Sequence, residues 1–183
     1  ISTTSRRSAS TPRAVSAALR RGTYISAIAF AVGAFPIIWF ILGKEYIGIY
    51  GAVVSGLLAG VLIGYFTEYF TSDTYKPTQK LAATSETGSA TIIIGGFSLG
   101  LKSCGAPIII VAISVLTSFF VSGGDLGEGM NMGLFGIAIS AVGMLSTLGI
   151  TLATDAYGPI ADNAGGIAQM AGMDEVVRER TDA

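Results

Sequence analysis

The sequence predicts an all-α fold, a polytopic transmembrane helix bundle, and three observations carry that prediction. Charged residues make up only 13% of the 183, where soluble domains carry about 25%. Four apolar runs each reach the roughly 20 residues that a bilayer-spanning helix needs. The chain holds 25 glycines, many of them within those runs at three- and four-residue spacing, where small residues let helix backbones approach closely. A mean hydropathy of +0.65 agrees with lipid as the main solvent.

Residues 1–22 read as a cytoplasmic Arg/Ser-rich loop, with Arg6, Arg7, Arg13, Arg20 and Arg21 and no acidic residue. Taken alone the tract resembles a transit peptide. The chain opens on Ile1 and closes on Ala183 with no closing element, so the expectation is an internal fragment of a longer protein. The first span is expected at 23–42. Pro36 predicts a kink in it, and Tyr24 and Trp39 lie near its ends as interfacial aromatics do. After a short turn the second span covers 47–70. Its Gly51, Ser55, Gly56, Ala59, Gly60 and Gly64 form a small-residue stripe suited to tight packing. The third, 90–121, is long. It contains Lys102 and Pro107, which predicts tilting, kinking or extension beyond the bilayer. The fourth, 132–154, carries Gly133, Gly136, Gly143 and Gly149. Residues 155–183 are expected to hold a cytoplasmic polar motif and tail.

Loop charges orient these spans. Nine basic residues fall on one side: the five N-terminal arginines, Lys76 and Lys80 between spans two and three, and Arg178 and Arg180 in the tail. The opposite loops hold only Lys44. The positive-inside rule therefore expects both ends of the chain and the 67–89 loop in the cytoplasm. A net charge of −1 gives a nucleic-acid partner no electrostatic support. The Arg-rich tract reads instead as a topology signal and a surface for anionic headgroups. The absence of His removes the commonest general base and zinc ligand. Cys104 reads as a small packing residue. Lys102 reads as a lysine at a polar inter-helix face or a snorkelling one, and Glu68 and Asp73 as helix-end carboxylates.

The densest polar stretch follows the fourth span, from Thr154 to Gly166. Asp155 and Asp162 are seven apart, which puts both carboxylates on one face of a continuous helix. Gly158 and Pro159 predict a bend between them. Carboxylates with Asn163 and two glycines beside them suit a hard cation such as Mg²⁺, which commonly arrives with substrate phosphates. They equally suit cap or interfacial carboxylates in a solvated loop, and spacing alone leaves both readings open.

The run GMLSTLGITLATDAYGPIADNAGGIAQMAGM, with RERTDA after it, resembles a signature of the membrane-integral, ion-translocating inorganic pyrophosphatases. GYFTEYFTS at 64–72 is similar to another of their segments, and Gly88-Ser89-Ala90-Thr91 is a weaker match. The similarity covers most of the chain from about Gly22 onward. Gln169 stands where the family's GIAEM run has Glu, and Ile92 where Asn often follows Ala-Thr. The resemblance implies a homodimer with sixteen helices per subunit, of which these four look like the eighth to eleventh. It implies a cytoplasmic site that binds Mg²⁺-pyrophosphate through aspartates, lysines and asparagines. Water attacks there, and H⁺ or Na⁺ is pumped out of the cytoplasm. On that resemblance Asp162, in the DNAGG run, is the metal and pyrophosphate ligand. Asp155 lies near the site, and Asn163 is a further substrate-binding candidate. The general base, substrate lysines and ion gate would lie on other helices, so this fragment is not expected to be active alone. H⁺ or Na⁺ specificity stays open, as does K⁺ dependence. The expected membrane is a prokaryotic plasma membrane, a vacuolar-type membrane being the alternative. Two other functions fit glycine-rich broken helices: a secondary transporter and a non-catalytic membrane subunit. The long DAYGPIADNAGG run favours the pyrophosphatase.

Overall fold

The structure, a computed structural model, describes residues 12–181. Those residues are helical nearly throughout, and no strand occurs among them. The order is α1 (Pro12–Ile37), a π turn (Ile38–Leu42), a 3₁₀ turn (Lys44–Tyr46) and α2 (Ile47–Thr71). Then come α3 (Lys76–Ala83), a 3₁₀ turn (Thr84–Thr87), α4 (Ser89–Val121) and α5 (Met130–Met144). A third 3₁₀ turn (Leu145–Thr147) leads into α6 (Leu148–Met170), and α7 (Glu175–Thr181) follows. Four segments are long and apolar enough to cross a membrane: Arg20–Leu42, Lys44–Thr87, Ser89–Val121 and Met130–Met170.

The expected bounds of spans two and three agree with α2 and α4. Elsewhere they differ. Residues 12–22, expected as loop, are helical. Pro12 opens α1, where its missing N–H costs nothing, and the alanine- and arginine-rich segment after it favours helix. The break near Pro36 takes the form of the π turn at Ile38–Leu42, closed by Gly43 at φ +94°. The 67–89 loop contains α3, with Pro77 in its first turn. The fourth span is two helices, parted by a 3₁₀ turn at Leu145–Thr147. Beyond it α6 runs on to Met170 with Pro159 inside, so the polar stretch is helical.

The described residues form two compact units, residues 29–146 and residues 12–28 with 147–181. In the first, α2, α4 and α5 pack against one another. Ser55 meets Ser114 and Gly48 meets Val121, so α2 and α4 run antiparallel. A Cβ on Gly56 would collide with the Ser140 carbonyl, and one on Gly143 with the Val53 carbonyl. Hydrogen at those positions is what lets the backbones touch. Hydroxyls line the same seam. Ser114 Oγ lies 3.3 Å from both Ser55 Oγ and Ser140 Oγ. Ser118 Oγ donates to the Ser114 carbonyl (2.6 Å), and Ser122 Oγ to those of Ser118 (2.8 Å) and Met132 (3.1 Å). Ser114, Ser118, Ser122 and Ser140 are buried and Ser55 half-buried, among neutral partners that satisfy them, as a low-dielectric interior requires. Ile38, Ile49 and Val53 form a small apolar core with Phe30, Ala34 and Tyr50 around it.

Two aromatic clusters bracket α2. At one end Phe35 stacks on Trp39 and meets Tyr50 edge-on, while Lys44 Nζ sits 5.2 Å above the Trp39 ring. At the other, Tyr69 packs against Phe70 and Tyr75. From Ile47 to Thr67 α2 carries no charge. That stretch is about 30 Å long, which matches the hydrocarbon core of a bilayer.

Candidate active-site segment on α6

In the second unit, one face of α6 is buried through Ala161, Gly165 and Ala168. These stand at helical spacing, and α7 packs against α6. The helix closes on Gly172 at φ +64°. Met173 N donates to the Ala168 carbonyl and Gly172 N to that of Gln169, both at 3.1 Å. That is the glycine-terminated cap of an α-helix.

About a quarter-turn away from the buried stripe lies the polar face. The continuity of α6 places Asp155 and Asp162 on one side, as their spacing predicts. Both are exposed, and neither side chain has a hydrogen-bond or ion-pair partner among the described residues. They stand two turns apart, about 10 Å along the axis. Asn163 is exposed on the flank of this face. Gly158 and Gly166 sit beside the carboxylates, and a Cβ at either would meet nothing within 4 Å. The backbone of α6 is therefore bare one turn after Asp162. Gln169 continues the line seven residues on and is also exposed. Pro159 lacks an N–H, so the Asp155 carbonyl has no donor one turn later. The two aspartates stand out in the sequence by their spacing. The bareness of Gly166 does not, its only signal being the i+4 spacing from Asp162.

This arrangement fits part of a magnesium-phosphate site. Mg²⁺ takes hard oxygen ligands, keeps several waters and is held through one or two carboxylates plus phosphate oxygens. Among the described residues no three Asp, Glu, Cys or His side chains come together. Asp162 would thus supply one ligand to a shell completed by other groups.

Lys102, Glu68, Asp73 and Cys104 lie in the other unit. Lys102 is exposed on α4 and Glu68 half-buried near the end of α2. Cys104 is an exposed free thiol, not a buried packing residue. The Arg6 and Arg7 part of the basic tract lies outside the described residues.

Helix length and apolar surface define a segment of an integral membrane protein, one of whose helices carries an acidic, glycine-bared face. The sequence profile of the family described as "Inorganic H+ pyrophosphatase" matches residues 1–183, and the chain belongs to that family. It is 49% identical over 162 residues, 88% of this chain, to a putative K(+)-stimulated pyrophosphate-energized sodium pump of Bacteroides thetaiotaomicron. It is 43% identical over 171 residues, 92% of the chain, to a K(+)-insensitive pyrophosphate-energized proton pump of Methanosarcina mazei. It is 45% identical over 112 residues, 59% of the chain, to pyrophosphate-energized membrane proton pump 3 of Arabidopsis thaliana. The chain spans 22%, 24% and 14% of these relatives' lengths.

Proposed function

We propose that this chain is part of an enzyme that hydrolyses inorganic pyrophosphate and couples the reaction to pumping H⁺ or Na⁺ across a membrane. The observation that carries this reading is the family match along the whole chain. The open acidic face of α6 supports it, because it offers the chemistry such an enzyme needs. Relatives named as sodium pumps and as proton pumps both match closely, so the ion and the K⁺ response are left to measurement.

In this reading Asp162 is the metal and substrate ligand. Asp155 extends the negative face, and Asn163 offers a neutral polar partner at its flank. Gly166 leaves room for a phosphate group to approach the helix backbone. Bound Mg²⁺ supplies charge neutralisation on the pyrophosphate oxygens. The Asp162 carboxylate holds that charge in position, which is the main demand of phosphoryl transfer to water. The general base, ion gate and remaining substrate contacts come from other helices of the same subunit, and the working unit is a homodimer. The nine-to-one distribution of basic loop residues supports a cytoplasmic location for the α6 face, and the prokaryotic relatives a plasma membrane.

The test uses the full-length protein in inside-out membrane vesicles supplied with Mg²⁺ and pyrophosphate. Phosphate release and lumen acidification are recorded together, with and without Na⁺ and K⁺. Phosphate release with acidification identifies a proton pump. Phosphate release that requires Na⁺, without primary acidification, identifies a sodium pump. Folded protein that releases no phosphate with all three cations present overturns the proposal in favour of a secondary transporter.

A further inference from the structure

A groove of about 360 Å³ runs between α3 and α4 at the end of α2. Its apolar walls include Phe70, Leu81 and Leu99, and two cations, Lys80 and Lys102, open onto it from different elements. No acidic residue lines it among the described residues. We propose that this groove is a site for an anionic phospholipid, its phosphate held between Lys80 and Lys102.

The depth of the groove supports that occupant. α4 has 33 residues, about 50 Å of helix, while the hydrocarbon core is about 30 Å thick. One end of α4 must therefore stand outside the core. Val121 lies beside Gly48 at the start of α2, next to the Trp39 and Tyr50 cluster, which fixes that end at an interface. Counting back, the nineteen residues from Ser103 to Val121 carry no charge, and they cover about 28 Å. Lys102 is the first charged residue beyond them. On α2 the uncharged stretch ends at Glu68, and the antiparallel register that pairs Ser55 with Ser114 brings Glu68 close to the same level. Two helices thus place their first charge at one height, the headgroup boundary.

α3 sits on the part of α4 above that height. A Cβ on Gly95 would lie 3.2 Å from Leu81 Cδ1 and 3.6 Å from Thr84 Oγ1, so a glycine seats the short helix. This leaves Lys80 above the groove and Lys102 at its lower edge, both exposed. Lysine stems lie along apolar surface while their ammonium groups reach the headgroup layer. An acyl chain suits the apolar walls, and a phosphate suits the two ammonium groups. Lysines at an anionic membrane surface each contribute about 1 kcal/mol.

The experiment uses full-length protein in nanodiscs doped with photoactivatable phosphatidylglycerol or phosphatidylcholine, with labelled peptides mapped by mass spectrometry. Phosphatidylglycerol is expected to label residues 70–102 in preference to phosphatidylcholine. The double variant K80Q/K102Q should lower that preference about thirtyfold, and K80R/K102R should keep it. Equal labelling by the two lipids overturns the proposal, as does K80Q/K102Q labelling like the parent. An unlabelled segment overturns it too, because it shows the groove filled by protein. Inorganic phosphate should not compete; displacement by it would make this a free-anion site. Pyrophosphate hydrolysis is assayed separately, so lipid selectivity and the enzymatic reading stand or fall independently.

Discussion

Glycine serves opposite ends in the two regions of this chain. Between α2, α4 and α5 it is a packing residue: Gly56 and Gly143 each press against a neighbouring carbonyl, with no room for a methyl group. On α6 it is an opening. Gly158 and Gly166 face empty space beside Asp155 and Asp162. In the first region the missing side chain is replaced by another helix. In the second it leaves backbone bare beside charge, where a bulky anion can come close. On the proposed reading, stability resides in one set of glycines and chemistry in the other, and substitution should separate them.

The largest effect is expected at the acidic face. Asp162→Asn in the full-length protein should cut pyrophosphate hydrolysis about 100-fold or more, with thermal stability within about 0.5 kcal/mol of the parent because the residue is exposed. Normal hydrolysis would remove Asp162 from the site. Gly56→Ala should act in the other sense. Its methyl cannot be placed without moving the backbone at Ser140, so a loss of about 1–3 kcal/mol is expected from thermal unfolding in detergent. Parent-like stability would mean that α2 and α5 are not in contact there.

Gly166→Ala sharpens the contrast most. As an open helical glycine it should gain about 0.5–1 kcal/mol on becoming alanine, while the KM for pyrophosphate rises several-fold. A loss of stability would show this face packed against protein. Smallest is Ser114→Ala, which removes a hydroxyl shared with Ser55 and Ser140 and should cost about 0.6 kcal/mol. No change at all would reduce the buried serine seam to shape-filling.

The spans were legible because length and apolarity are what a bilayer selects, and α2 and α4 fall within a residue or so of their expected bounds. The glycine stripes were legible as stripes only. Gly60 and Gly64 continue one spacing pattern, yet a Cβ on Gly60 would lie 2.9 Å from the Met144 carbonyl while one on Gly64 meets nothing within 4 Å. Spacing reports a smooth face and not what comes to lie against it. The break at Leu145–Thr147 was hidden because the apolar pattern resumes beyond it and reads the same whether the helix is continuous or tightened for one turn. α3 was hidden for a different reason: it has only eight residues, and Pro77 in its first turn reads as a loop residue. At the site, the shared face of Asp155 and Asp162 follows from their spacing once α6 is continuous through Pro159. The role of Asp162 came from the DNAGG resemblance and rests on the mutant assay.

Pro159 has one more effect, on the backbone beside it. A helix carbonyl normally hides its lone pairs against the amide one turn ahead. The Asp155 carbonyl has none to turn to, and a backbone oxygen left so needs another donor. In membrane helices neighbouring helices, hydroxyl side chains or water supply one. The proline thus leaves an acceptor open at a chosen rung of α6, beside a carboxylate, without adding any charge.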